Sequence, residues 1–401
     1  MKNKLAIHGG KKIRNMPMPI RYAYGEKEEN ELKKMIKYYK SNGEDPKYSG
    51  LWEEKFCTAF SKFMGGGYAD AVATGTGAIY VAMKSLEIRP KSEVIVSPVT
   101  DSGALSCITE QGHTPVLVDS AKDSYNTNLE EIKKRVTNKT SLLQITHAAG
   151  EPVNIDVIIK FAKSNNIKVL EDCSQSIGAQ ISGKYVGSFG DIAAFSTMYR
   201  KNLAANSSSG LVFTNKNKQL YKKILAYADR GKILWDKKLD LRDPKYALFP
   251  ALNWNTDEFS CAIGLASLRR LKETNRKRNK FLSLLVNLIK SESKICKPYN
   301  YHSGFSPFYF PVFVDTKKIT CTKIDFARAV AAEGIGLGEY YGCLVDTWPW
   351  ARKYMKDDFK AKNANKAVNK AFHLYLNENY TNKEAEDIIN AIKKVENYFI
   401  K

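Results

Sequence analysis

The chain has 401 residues, 43% of them hydrophobic, which is enough for a sizeable buried core and predicts two domains. No apolar run approaches the ~18 residues of a membrane helix, and the basic opening MKNKLAIHGGKKIRN lacks the long apolar core of a secretory signal. Seven cysteines without a C-x-x-C pair argue against a disulfide scaffold or a zinc site, and fit a reducing cytoplasm.

The net charge of +21 comes from 63 basic and 42 acidic residues. Such an excess attracts anionic partners, either nucleic acid or a phosphorylated substrate. The lysines are dispersed, however, and no helix-turn-helix or RNA-binding signature accompanies them. The reading is therefore no nucleic-acid partner and no membrane, with modest electrostatic help to a phosphate-bearing substrate.

Taken in order, residues 1–20 are short, basic and turn-rich. Residues 26–44 read as an amphipathic helix. Gly50 to Phe56 opens another, in which Trp52 and Phe56 stand at i, i+4 and imply a core face. From Tyr68 strands and helices alternate. The strands are 69–73, 94–97, 115–119, 141–146 and 169–172. The helices run from Thr74-Gly75-Thr76-Gly77 to Leu86, then to about Gly112, then over 128–136 and 155–165. This alternation predicts an α/β fold, a parallel sheet with helices on both faces. A strand at 211–214 and a helix over Lys218–Ala228 follow, then a polar, basic loop at 231–245. Residues 256–292 read as one long helix, opened by the capping signal Thr256-Asp257-Glu258 and placed to bridge two domains. Residues 305–401 carry a strand pair around Tyr309–Val314, two helices and a closing helix over Asn382–Phe399, a smaller α+β unit. The expected division is an arm at 1–20, a large α/β domain at 21–255, and the bridging helix with a small domain at 256–401.

Two short apolar runs carry the chemistry. KVLED stops at Glu171-Asp172 and DIAAFS stops at Ser196, with Lys201 just beyond. Side chains at the carboxyl ends of parallel strands project into a common crevice. An acid, a hydroxyl and a lysine meeting there suit pyridoxal phosphate, which needs an amine to carry its aldehyde as a Schiff base and an acid to keep its ring nitrogen protonated. Free lysine has a pKa of about 10.4. Buried beside a cofactor it becomes a nucleophile and can then shuttle protons. Lys201 and Asp172 are the candidates. On composition alone Lys201 would be one more surface lysine beside Arg200.

The stretch resembles the DegT/DnrJ/StrS family of pyridoxal phosphate-dependent sugar aminotransferases, which are fold type I. The family pattern is an acidic pair, two small residues, Gln and small-x-Gly, then G-D-x-x-x-F-S and a lysine. Here it runs Glu171, Asp172, Cys173, Ser174, Gln175, Ser176, Ile177, Gly178, then Gly190, Asp191, Phe195, Ser196 and Lys201. The resemblance implies that Asp172 faces the pyridine nitrogen, where each unit of raised pKa is worth about 1.4 kcal/mol. It implies that Gln175 bonds the phenolic oxygen. Thr74-Gly75-Thr76-Gly77-Ala78 resembles the S-G-T-x-A phosphate cup, where Gly75 admits the anion, Thr76 adds a hydroxyl and the helix start supplies unpaired N–H groups. Ser196 would reach the same phosphate. Asn253 matches the N-x-R motif, whose Asn comes from the neighbouring subunit in relatives, which implies a homodimer with shared active sites. KLAIHGGKKIR resembles the family's opening arm, which returns to the small domain.

The sequence also departs from the pattern. Asn255 stands where N-x-R has arginine, and Ser207-Ser208-Ser209-Gly210 replaces the acid-containing glycine-rich turn. Where most members stack an aromatic on the cofactor ring, the aligned residue is Asp101, placed over or beside the ring. Glu339-Tyr340-Tyr341, after Gly334-Ile335, resembles the substrate-facing G-I-x-x-x-x-Y segment. The implied activity moves an amino group from L-glutamate or L-glutamine to a keto carbon of a nucleotide-linked deoxysugar. The alternatives are a pyridoxal phosphate-dependent sugar dehydratase, an acceptor without a nucleotide such as a cyclitol or small phosphorylated ketone, and a nucleic-acid-binding relative with a decayed site. Lys201 argues against the dehydratases of this family that carry His at that position.

Overall fold

The computed structural model describes residues 4–21, 24–215 and 217–401. Helix α1 (Glu26–Asn42) is entered from Gly25, whose N–H donates to Glu28 at 2.9 Å, and α2 (Leu51–Phe63) follows. The buried carboxylate of Glu258, far along the chain, caps α2 by accepting the N–H groups of Trp52 (2.9 Å) and Glu53 (2.8 Å). Trp52, Phe56 and Phe60 fall on one face of α2 and are buried, the face that their spacing implied.

The alternating elements follow as β1 (Tyr68–Val72), α3 (Gly75–Ser85), β2 (Glu93–Val96), α4 (Ser102–Glu110), β3 (Thr114–Leu117), α5 (Leu129–Lys133), β4 (Thr140–Thr146), α6 (Ile155–Ser164) and β5 (Lys168–Asp172). The hairpin β6 (Gln180–Ile181) and β7 (Lys184–Tyr185), strands β8 (Ile192–Ser196) and β9 (Gly210–Thr214), and α7 (Lys218–Ala228) complete this part. Seven strands form one sheet in the order β1-β9-β8-β5-β4-β2-β3. Only β9 is antiparallel to its neighbours; the rest pair in parallel or lie beside β9. The central strands are buried on both faces, so they read as continuous apolar runs.

Asp257 opens α8 (Glu258–Glu292) by accepting the Ser260 N–H at 2.7 Å. Its 35 residues give about 50 Å at 1.5 Å per residue. The first turns bury Cys261, Leu265 and Leu268 with α2, and the later ones bury Phe281, Leu285 and Ile289 in the second unit. That unit holds β10 (Cys296–Pro298), β11 (Tyr309–Val314), α9 (Lys323–Ala332), β12 (Leu337–Gly338), α10 (Lys362–Asn369), β13 (Ala371–Tyr375) and α11 (Asn382–Phe399). Its sheet has four antiparallel strands, β10-β11-β13-β12, where the sequence reading had one strand pair. Strands β10 and β12 span three and two residues, too short to show a period. The helix expected over 128–136 keeps its Asn128 cap but ends at Lys133.

The arm residues hydrogen-bond to this second unit. Glu333, fully buried, accepts the N–H groups of Ala6 (2.9 Å) and Ile13 (3.1 Å). Arg14 pairs with Asp387 (2.6 Å) and Glu384 (3.0 Å). No helix of the described residues is long and apolar enough to cross a membrane.

Candidate active site

Strands β5 and β8 are parallel neighbours, with Asp172 opposite Ala194, so Asp172 and Ser196 leave the sheet at the same edge. Asp172 is 3% exposed. Its carboxylate accepts the Ser174 N–H (3.0 Å) and the Thr146 hydroxyl (3.4 Å), and its carbonyl accepts the His147 N–H (3.0 Å). Lys201 lies in the turn after β8, with its ammonium 4.4 Å from the centre of the Phe308 ring. Burial pulls the Lys201 ammonium below its ordinary pKa, while the carboxylates of Asp172 and Asp101 and the Cys343 thiol pull it back up. A lysine held in this balance is easier to deprotonate than a surface one.

Thr74 caps α3, its hydroxyl accepting the Gly77 N–H at 2.7 Å. The other first N–H groups of a helix have no intrahelical partner. Gly75 is pressed against Ser196: a Cβ there would stand 2.5 Å from the Ser196 Cβ. Thr76 is exposed beside them. The Ser196 N–H donates to the Ser174 hydroxyl at 3.0 Å, which ties the end of β8 to the turn after Asp172.

Gln175 is 7% exposed and held at both ends of its amide. Its Oε1 accepts the Ala149 N–H (2.9 Å) and the Tyr309 hydroxyl (3.2 Å), and its Nε2 donates to the Tyr341 hydroxyl (3.1 Å). Tyr341 packs on Tyr309 with ring centres 4.9 Å apart, so two tyrosines of the second unit hold the Gln175 amide. Asp101 is exposed at the start of α4, where its carboxylate accepts the Gly103 N–H at 2.9 Å. Its field reaches Lys201, Cys107 and Cys343.

The structure therefore gathers Lys201, Asp172, Gln175, Ser196, Gly75, Thr76 and Asp101 around one crevice. Asn253 stands apart. It is exposed, and its side chain folds back to accept the N–H (3.1 Å) and amide (2.8 Å) of Asn255.

Several contributors were not read from the sequence. Arg21 donates to the Lys201 carbonyl. Asn202 donates to Asn275 (2.9 Å) and Ser306 (2.8 Å) and accepts from Arg278 (2.6 Å). Arg278, 1% exposed, is paired in turn with Glu378 (2.8 Å). His147 follows the buried strand β4 in the string T-H-A-A-G, and a histidine at such a strand end was the signal available.

The residues fit pyridoxal phosphate. The crevice holds one amine of lowered pKa and a carboxylate at the neighbouring strand end. It also holds a helix start packed so closely on Ser196 that position 75 has room only for glycine.

This fold, with its seven-stranded mostly parallel sheet and second α+β unit, is that of a fold type I aminotransferase. The chain belongs to the DegT/DnrJ/EryC1/StrS aminotransferase family, whose model matches residues 26–393. It is 31% identical over 257 residues to the GDP-perosamine synthase of Escherichia coli O157:H7, covering 62% of this chain and 68% of that one. It is 27% identical over 350 residues to the spore coat polysaccharide biosynthesis protein SpsC of Bacillus subtilis, covering 85% and 89%. The solved aminotransferase from Psychrobacter cryohalolentis shares the fold with a TM-score of 0.84 at 24% identity, over 94% of this chain and 98% of that one.

Proposed function

We propose that the chain is a pyridoxal phosphate-dependent aminotransferase that transfers an amino group from L-glutamate or L-glutamine to a keto carbon of a nucleotide-linked sugar. The observation that carries this is the Lys201 ammonium, lowered by burial in a crevice it shares with the Asp172 carboxylate. The sugar acceptor is supported by the similarity to GDP-perosamine synthase.

When bound, the cofactor supplies an electron sink for breaking a C–H bond beside nitrogen. The chain supplies the rest. Lys201 Nζ, once deprotonated, takes and returns the proton at the reacting carbon. Asp172 holds a negative charge at the ring nitrogen. The start of α3, with Gly75, Thr76 and Ser196, binds the phosphate through N–H and hydroxyl donors. Gln175, locked by Tyr309 and Tyr341, presents its amide edge to the ring substituents. Asp101 lines the face where an aromatic would otherwise stack. Asn253, exposed beside Leu252 (53%) and Phe259 (44%), is the residue by which a second copy would complete the phosphate site of its partner.

The test uses the protein purified with pyridoxal phosphate. A yellow solution should be bleached by borohydride, with the adduct found on Lys201 by peptide mass. Labelled nitrogen from glutamate or glutamine should appear on at least one nucleotide-linked keto sugar. A protein that neither takes up the cofactor nor transfers nitrogen to any such sugar would overturn the reading.

A further inference from the structure

Asp70 lies on β1 four residues before Thr74, about 13 Å back along the strand from the phosphate cup. It opens on a cavity of about 730 Å³ between α2, β1, α7 and the 234–237 segment. Asp70 and Glu53 line this cavity and each is 6% exposed. Glu53 accepts the Ser49 N–H at 3.0 Å. The Asp70 carboxylate has no hydrogen-bond or ion-pair partner among the described residues. Asp229, 3% exposed and paired with Arg230 at 2.5 Å, is a third acidic side chain nearby and acts on Asp70 electrostatically.

Burying an unpartnered carboxylate is costly, and the cost falls when a cation is brought to it. Below about pH 7 a proton on Asp70 meets that cost; above it a cation must come from outside, and the cavity gives it a route. The rim is of opposite character. Lys218, Lys222 and Lys237 line it, with the Lys222 ammonium 5.5 Å from the Trp235 ring. Lys237 is tied to the exposed Glu54 at 2.8 Å, a surface pair of small energy that an incoming anion can replace. The volume falls within the range of small-molecule sites, and none of these residues belongs to the Lys201 crevice.

We propose that this cavity is a second ligand site for a small zwitterion, its primary ammonium seated on Asp70 and Glu53 and its carboxylate or phosphate facing Lys222 and Lys237. Two sources carry that pair of groups: an amino acid donor, and a nucleotide-linked amino sugar of the kind the enzyme would release. The choice between these sources rests on the function proposed above; the site itself does not.

The test is calorimetric titration of the full chain with L-glutamate and with UDP-glucosamine. Glutarate and UDP-glucose serve as controls that lack the ammonium. At least one ammonium-bearing probe should bind at least tenfold more tightly than its control, and Asp70→Asn should abolish that difference. Lys222→Ala, on the partly exposed rim, should weaken the same probe severalfold and guards against a misfolded Asp70 variant. Glutamate alone would identify an amino acid site and UDP-glucosamine alone an amino-sugar site. Equal binding of probes and controls, or a difference that survives Asp70→Asn, would overturn the proposal. Nitrogen transfer is measured separately, so loss of the aminotransferase reading would leave this result standing.

Discussion

His147 Nε2 stands 3.2 Å from Glu171 Oε2, and both side chains are fully buried. His147 Nδ1 accepts the Val153 N–H at 2.9 Å, so the ring proton sits on Nε2 and is donated to the carboxylate. Glu171 also accepts the N–H groups of Gly187 (2.8 Å), Phe189 (2.8 Å) and Gly190 (2.7 Å). Burial alone would raise the Glu171 carboxyl, but His147 and these N–H groups outweigh it and hold it below the usual range. With Cys173 the pair forms a compact group of potential metal ligands. Both ring nitrogens are already engaged and the carboxylate is saturated, so the arrangement is structural, fixing the strand end from which Asp172 projects.

Glu171→Gln is therefore expected to be strongly destabilising, because an amide NH₂ turned toward those donors leaves buried groups unmatched. The loss should be about 3 kcal/mol, read from urea unfolding at neutral pH. A loss under about 1 kcal/mol, the scale of an ordinary substitution, would show that the loop at 187–190 holds without the carboxylate.

Gly75→Ala tests the cradle. The added methyl would meet the Ser196 Cβ at 2.5 Å and its hydroxyl at 2.8 Å, so the end of β8 or the start of α3 must move. The fold, followed by circular dichroism, should survive. Affinity for pyridoxal phosphate, followed by fluorescence quenching, should fall at least about tenfold, or about 1.4 kcal/mol. Unchanged affinity would place the phosphate elsewhere.

The strand ends of this crevice were legible because β5 and β8 are buried on both faces and each stops at a polar residue. The groups that steady them were not. Tyr309 and Tyr341 lie 134 and 166 residues from the Gln175 they bond, and no local period links them. Arg278 is a basic residue in a long helix whose burial follows from Asn202 and Glu378 arriving from distant segments. Strand β13, five residues directly after α10, was lost for a related reason: its pairing with β11 is made across more than fifty residues of chain.

Tyr341→Phe follows from that hidden link. Removing the hydroxyl leaves one N–H of the Gln175 amide without its acceptor in a nearly closed space. The cost should be about 1 kcal/mol of stability, measured by thermal unfolding without cofactor. Cofactor affinity should fall as well, since the amide is freed to turn. A variant indistinguishable from the parent in both would mean that Tyr309 alone holds Gln175.

Asp101→Asn bears on the lysine. Asp172 is the larger of the two carboxylates raising the Lys201 pKa against burial, and Asp101 is the next. Neutralising Asp101 should shift the pH midpoint for capture of pyridoxal phosphate by Lys201, trapped with borohydride, to lower pH. Asp172→Asn should shift it further. An unmoved midpoint in Asp101→Asn would mean that this carboxylate is screened from the ammonium by solvent.

The same logic with the opposite sign applies to Asp70. Burial first, and then the charge of Asp229, push its carboxyl up from an ordinary 3.8 to about 7. Between those values the folded chain keeps a proton that the unfolded chain has released, so stability falls as pH rises through this window and levels off above it. Asp70→Asn resembles the protonated acid at every pH. It also removes a charge that raises Glu53, which adds in the same direction. The variant should match the parent near pH 4 and unfold at a temperature several degrees higher at pH 8. An equal or lower unfolding temperature at pH 8 would mean that a positive group already satisfies the Asp70 carboxylate, and that no cation is missing from its cavity.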